Sequence, residues 1–382
     1  MKILTVRSSL PDMGPGTQPL TLAKEMSSLG HTTIFATSGG VYTSHIEREG
    51  FEVTIIPELA HDRHDIWSVC RAVLELRKLI KRYQPDVVHG HNAAATIVAF
   101  LAGLANFSLI PCVTSVRGVE ERESHRWRNQ IWKLVPGVLL AVCDNTKVRL
   151  VSFGVKSERI RVTFNGVSLK KFQPSADLRR KLRQAYSIDD RIVLGVVGAM
   201  TGPTNLDGPG KGQHILLRAV KALSERHPEL FVVLVGDGPS KHMVEALAEE
   251  LGINHQVLFL GRRFDIPEML SLMDIYCLPS IHGEFFPNSI VEAMAMELPW
   301  VGSDIAGLSE LTAQGKAGMV SEIGNVEALV NNLRRLVSNE QTRKQMGRAA
   351  RQEVESNFTI DKVTQRIISA YVDAGAEQFS KS

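Results

Sequence analysis

The feature that most constrains this chain is an order of apolar run, turn and helix-period segment that occurs twice. In the first series Ile3–Val6 is an apolar run, and a loop with Gly14, Pro15 and Gly16 follows it. Leu22, Ala23, Met26 and Leu29 then recur on one helical face, with Gly30 as its C-cap. Strands are predicted at His31–Ala36 and Glu52–Ile56. A helix bearing Val69, Val73, Leu76 and Ile80 leads to a further strand at Pro85–His89. The series restarts after residue 174. Ile192–Gly198 runs into a glycine turn, and Leu216, Ala219, Val220 and Leu223 mark a helix. Phe231–Gly236, Val257–Leu260 and Ile275–Leu278 read as strands. Strands alternating with helices predict parallel sheets covered on both faces. Two such series predict two Rossmann-like α/β domains, residues 1–173 and 174–361. Ligands of such sheets bind beyond the carboxyl ends of the strands, which for two domains implies an interdomain cleft.

Length and composition agree with this reading. A chain of 382 residues suits two domains, each large enough for its own core. An apolar fraction of 44% and a charged fraction of 22% exclude a disordered, collagen-like or disulfide-scaffold protein. The four cysteines form no C-x-x-C pair, which argues against structural zinc and for a reducing compartment. The opening apolar run is too short for a signal peptide. The uncharged stretch Asn92–Val116 is long enough to span a bilayer, but Gly103, Asn106, Ser108 and Pro111 mark a turn inside it. It reads as a buried helix from Ala93 to about Leu104 and a buried strand at Ile110–Val116. Residues 1–173 carry a net charge of +7 and the remainder −4. The basic half suggests an anionic partner or a membrane surface, the alternative being a basic surface with no partner. No nucleic-acid partner is expected.

The most informative segment runs from Pro279 to Ala295. Glu284 lies in its loop, and Glu292 lies eight positions on, about one turn into a helix. The helix start near Asn288 and Ser289 offers unbonded N–H groups and a positive dipole end, suited to a phosphate. Glu292 could accept two hydroxyl hydrogen bonds, as a ribose presents, and Glu284 could do the same for a sugar ring. The alternative is a loop with one solvated glutamate and one capping glutamate.

This segment resembles the E-x7-E signature of the retaining glycosyltransferases of family 4, which have the GT-B fold. Gly14-Pro15-Gly16 resembles that family's N-terminal glycine loop, and Asp86–His91 its strand ending in an active-site histidine. Val162–Pro174 resembles its domain linker, and Gly198 through Lys211-Gly212 its phosphate loop. Pro299–Asp304 through Gly307 and Glu310 complete the pattern. The resemblance implies that Lys211 contacts the donor diphosphate and Glu292 the nucleotide ribose. Glu284 would hold donor-sugar hydroxyls, helped by the backbone around Phe285, Phe286, Pro287, Asn288 and Ser289. His91 would approach the sugar near its C6, and Gly16 would let the backbone near the diphosphate. A C-terminal helix from about residue 362 to 382 would return to the first domain.

The chain departs from the family pattern at several places. Ala199 stands where an arginine is usual, the loop at 201–210 is expanded, Arg117-Gly118 replaces a His-Gly, and Ala306 replaces a glycine. Arg262, after the Val257–Leu260 strand, or Arg117, after the Ile110–Val116 strand, could supply the missing cation. Arg262 is favoured because it shares a domain with Lys211, and Arg117 is assigned to an anionic acceptor. The expanded loop could instead close over the phosphates through its glycine amides.

Other motifs carry less. Gly210-Lys211-Gly212 lacks the spacing of a P-loop. His89 and His91 share one face of a strand but have no third metal ligand. No D-x-D sequence is present to clamp a metal. Arg126–Lys133 reads as a membrane-interface segment or as an amphipathic helix with Ile131 and Trp132 inward. The resulting expectation is a retaining, metal-independent hexosyltransferase needing no cofactor. It would transfer a sugar from a UDP- or GDP-linked donor to a glycan or lipid-linked acceptor, as in cell-surface polysaccharide biosynthesis. A cytoplasmic location follows, with peripheral contact at the inner membrane face left open. A nucleotide-sugar epimerase of the same architecture and a non-catalytic binding subunit are the alternatives.

Overall fold

The computed structural model describes residues 1–10, 14–60, 65–119, 129–201, 210–281 and 283–376. The chain forms two compact units, Met1–Asn165 with Ile360–Ser382, and Gly166–Thr359. The first crossing therefore lies eight residues before the one read from the sequence. The reason is local: the Val167 N–H donates to the Phe358 carbonyl at 2.9 Å, and the Phe172 carbonyl accepts from Arg351 at 2.9 Å. Residues 166–173 are thus bonded within the second unit.

The first unit is built on seven parallel strands: β1 (Lys2–Arg7), β2 (Thr32–Thr37), β3 (Glu52–Ile55), β4 (Val87–Gly90), β5 (Cys112–Val116), β6 (Val138–Ala141) and β7 (Ile160–Val162). Their spatial order is β3-β2-β1-β4-β5-β6-β7. Strand periodicity sorts neighbouring residues to opposite faces. Leu4 joins Leu76, Leu79, Ile80, Ala95 and Ala99 from the helices Ile66–Tyr83 and Ala93–Leu104. Ile3 joins Leu22, Met26, Val363, Ile367 and Tyr371 on the other face. The last three belong to the helix Ile360–Asp373, whose apolar residues recur at helical spacing. The terminal helix thus packs within the first unit and starts at Ile360.

Asn92–Val116 divides into the helix Ala93–Leu104 and β5, and the Asn92 side chain caps the helix by accepting from the Ala95 N–H at 2.8 Å. Among the described residues no helix is long and apolar enough to cross a membrane. Ile131 and Trp132, in the short helix Ile131–Leu134, pack on a buried cluster around Leu139 and Leu150, while residues 126–128 lie outside the described region. Gly14-Pro15-Gly16 is not a loop. It forms the first turn of the helix Gly14–Ser28, a position where proline is tolerated because its missing N–H is unbonded there anyway.

The second unit has six parallel strands: β8 (Ile192–Val197), β9 (Leu230–Val235), β10 (Val257–Gly261), β11 (Ile275–Leu278), β12 (Trp300–Ser303) and β13 (Gly318–Ser321). Their order, β10-β9-β8-β11-β12-β13, repeats that of the first six strands of unit 1. In each sheet the chain starts centrally, winds to one edge, and crosses back to the other side of its first strand. That reversal opens a crevice at the carboxyl ends of β1 and β4, and of β8 and β11.

A partly buried charge cluster fixes the start of the second unit. Asp274, just before β11, pairs with Arg179 at 2.6 Å and Arg183 at 3.1 Å, and also accepts from the Val193 N–H at 2.8 Å. Arg183 donates further to the carbonyls of Leu272 and Asp189, which locks the helix Ala176–Ala185 onto β8 and β11. Replacing Arg183 with Met would leave Asp274 with Arg179 as its remaining cation and several carbonyls underbonded, at an expected cost of about 1–3 kcal/mol. Amide exchange in β8 and β11 under urea measures this. A loss under about 1 kcal/mol would give Arg183 no more weight than an exposed ion pair.

Candidate active site

At the crevice of the second unit, two backbone segments touch. Gly212, at φ +74°, lies so close to the Pro279 carbonyl that an added Cβ would sit 1.8 Å from its oxygen. Only glycine fits both that conformation and that approach. The contact sets the turn after β8 against the turn after β11, and the Ile281 N–H to Gly210 carbonyl contact at 3.4 Å lies beside it. Lys211 is thereby carried to the E-x7-E loop. Its stem crosses Gly198, where a Cβ would meet Lys211 Cγ at 2.9 Å.

Lys211 Nζ donates to Glu284 Oε1, and Ser280 Oγ donates to the same oxygen at 3.2 Å. Glu284 is buried and Lys211 half-buried, so the pair is screened little by water. Phe286, two residues on, is buried edge-to-face against Phe358 with ring centroids 5.2 Å apart. That contact fixes the path of the loop into its helix.

The helix Asn288–Ala295 starts after Pro287 with no side-chain cap, and Asn288 Oδ1 is buried without a partner. Its first N–H groups keep their positive dipole end toward the loop. Ser289 shares a hydrogen bond with Tyr276, whose hydroxyl also donates to the Val197 carbonyl at 3.2 Å, tying the helix start to the end of β8. At the other end the Arg351 guanidinium donates to the Ala295 carbonyl, a cation where the dipole favours one. Glu292 lies on this helix, and desolvation pushes its carboxyl up to about 7, opposed by the charge of Lys171.

The sequence reading did not identify Lys171. It lies in the linker, its ammonium 5.4 Å from the centroid of the Phe172 ring, and no local pattern marks it. Arg262 directly follows β10 and is exposed, but β10 is the edge strand, two strand spacings (roughly 10 Å) from β8. Sharing a domain with Lys211 therefore does not make them neighbours along the sheet. The expanded loop is outside the described region over residues 202–209. Ala306, where the family has glycine, sits at φ +43°, the left-handed region that favours glycine.

In the first unit, His91 follows β4 and is 4% exposed. Its ring stacks on His89 with centroids 4.4 Å apart and an interplanar angle of 18°, as expected of two residues on one strand face. His89 is fixed at both nitrogens, Nδ1 to the Tyr371 hydroxyl at 2.7 Å and Nε2 to Ser115 Oγ at 2.8 Å. Burial pushes His89 down to about 3 and His91 well below its usual range, so both rings are neutral. Arg117 follows β5 and donates to Asn165 Oδ1. Gly16 lies in the first turn of its helix. Among the described residues, no group of three or more His, Cys, Asp or Glu side chains converges as a metal site.

Comparison with known proteins gives two family matches, one on each unit. Residues 14–171 match the profile of Glycosyltransferase Family 4, and residues 204–353 match that of Glycosyl transferases group 1. The chain is 26% identical over 319 residues to the UDP-Gal:alpha-D-GlcNAc-diphosphoundecaprenol alpha-1,3-galactosyltransferase of Escherichia coli, with 79% of each chain covered. Among solved structures it is similar to a glycosyltransferase from Rickettsia africae (TM-score 0.83, 21% identity, 98% of this chain and 99% of the other). It is also similar to Anabaena HepE in complex with UDP (TM-score 0.83, 21% identity, 97% of this chain and 100% of the other). With a family profile on each Rossmann unit and this shared architecture, the chain belongs to the group 1 glycosyltransferases of family 4, and its fold is GT-B.

Proposed function

We propose that this glycosyltransferase retains anomeric configuration and takes its donor at the carboxyl edge of the second sheet. The observation that carries the reading is the juxtaposition there of Lys211, Glu284 and an uncapped helix start bearing Glu292. Glu292 accepts both ribose hydroxyls. Lys211 exchanges Glu284 for the diphosphate, which leaves Glu284 to accept hydroxyls of the donor sugar. The amides from Phe285 to Ser289 complete the cradle, and Arg262 is the second cation offered to the leaving group. The family resemblance assigns Gly16 to the diphosphate and His91 to the sugar, and Arg117 is assigned to the acceptor.

These charges act on the leaving diphosphate as it departs, which is where electrostatic stabilisation lowers a barrier most. The acceptor hydroxyl attacks from the face the diphosphate leaves. Uridine is favoured over guanosine because the E. coli relative is named for a UDP-sugar and HepE is solved in complex with UDP. The acceptor is a glycan or a lipid-linked sugar of cell-surface polysaccharide biosynthesis. A cytoplasmic location with peripheral membrane contact is supported by the helix Ile66–Tyr83, where exposed Trp67 and Leu74 sit among Arg71, Lys78 and Arg82.

Two outcomes test this reading. Glu292→Ala loses the ribose acceptor, and nucleotide affinity should fall by roughly 1–3 kcal/mol. The carboxylate rather than the acid accepts both hydroxyls, and the free-enzyme carboxyl titrates near 7. Affinity for a nucleotide sugar should therefore weaken as pH drops through 7, and Glu292→Ala should remove that dependence. Calorimetry giving equal affinities and equal pH profiles in both proteins would exclude the ribose role. Turnover should also survive EDTA, because Lys211 and the helix start supply the positive charge a metal gives elsewhere. Activity lost to EDTA and restored by magnesium or manganese would reject that part.

A further inference from the structure

Unit 1 presents three side chains at adjacent strand ends, each with a buried polar atom that has no hydrogen-bond partner among the described residues. Arg7 ends β1, His91 follows β4 and Arg117 follows β5, and β1, β4 and β5 are consecutive in the sheet. Arg7 Nη1, Arg117 Nε and both ring nitrogens of His91 are buried without a hydrogen-bond partner. The bonds the arginines do make go to neutral acceptors, Arg7 Nε to the Ser9 carbonyl at 2.6 Å and Arg117 Nη1 to Asn165 Oδ1. Among the described residues neither forms an ion pair. Desolvation, and after it the like charge of Arg7, lower Arg117 to about 9. Desolvation alone lowers Arg7 to about 10.

Two guanidiniums taken out of water within reach of each other's charge are costly unless a counter-charge arrives from elsewhere. Their planar donor forks match the oxygens of a phosphate group. His91, held neutral, adds an N–H donor without adding charge. The site lies at the topological switch of its sheet, where such folds bind ligands.

We propose that Arg7, Arg117 and His91 form an oxyanion pocket for a phosphate group on the acceptor. The inference rests on the donor assignment above, which already gives the donor diphosphate its own cation and helix start in the second unit. It extends the acceptor role of Arg117 to a defined pocket, adds Arg7, which the sequence reading passed over, and narrows the acceptor to one that carries a phosphate or diphosphate.

The test is a calorimetric titration of the full chain with inorganic pyrophosphate, first saturated with UDP so that the donor site is closed to it. Pyrophosphate should still bind, and Arg7→Gln and Arg117→Gln should each weaken that binding roughly tenfold or more while leaving UDP affinity unchanged. Bound pyrophosphate should also raise the melting temperature of the UDP-saturated wild type by mass action, and not that of the variants. If a glutamine variant fails to fold, Arg117→Lys, which keeps the charge but loses the fork, takes its place. No binding to the saturated wild type at millimolar pyrophosphate would overturn the proposal, as would binding the variants do not change. UDP affinity that falls in the arginine variants, with no added pyrophosphate site, would assign the pocket to the donor and overturn it equally. A failure of the donor assignment looks different: UDP binding would then be indifferent to Glu292→Ala.

Discussion

The contact between Gly212 and the Pro279 carbonyl is the constraint on which the donor site depends. Parallel strands β8 and β11 are neighbours in space but far apart in sequence, and their following turns need not meet. Because residue 212 has no side chain and adopts φ +74°, the two turns close on each other. Lys211 then reaches Glu284 across 73 residues of chain. A larger residue at 212 would force the lysine away from the carboxylate even with every charged group still present. Tyr276 and Arg351 finish the arrangement by anchoring the two ends of the Glu292 helix.

The two units treat their cations differently. In the second unit the cation beside the crevice is paired: Lys211 has Glu284, and the exchange of that carboxylate for a diphosphate is close to neutral in charge. In the first unit Arg7 and Arg117 bond only neutral acceptors among the described residues, and His89 and His91 are held uncharged by burial. A ligand anion entering there meets uncompensated positive charge.

Much of this was legible from residue order. The alternation of apolar runs with helical periods gave both sheets, and Ala93–Leu104 and Ile275–Leu278 are found where they were read. The E-x7-E spacing led to Glu284, Glu292 and the helix start. What escaped depended on long-range packing. The crossing at Asn165 is set by a bond from Val167 to Phe358, which no local signal announces. Arg7 ends a strand just as Arg117 follows one, so the same rule applied to β1 would have found it. Lys171 and Tyr371 act through neighbours that only the folded chain brings near them.

The central claim is that Lys211 and Glu284 are held together so that the donor can part them, the lysine going to the diphosphate and the glutamate to the sugar. Turnover of a UDP-sugar, measured as release of UDP, tests it most directly in Lys211→Ala and Glu284→Gln. Both variants should fold as the wild type does and lose roughly 10²–10³ in rate, as when one transition-state partner is removed. Turnover near the wild-type value in either variant would contradict the account.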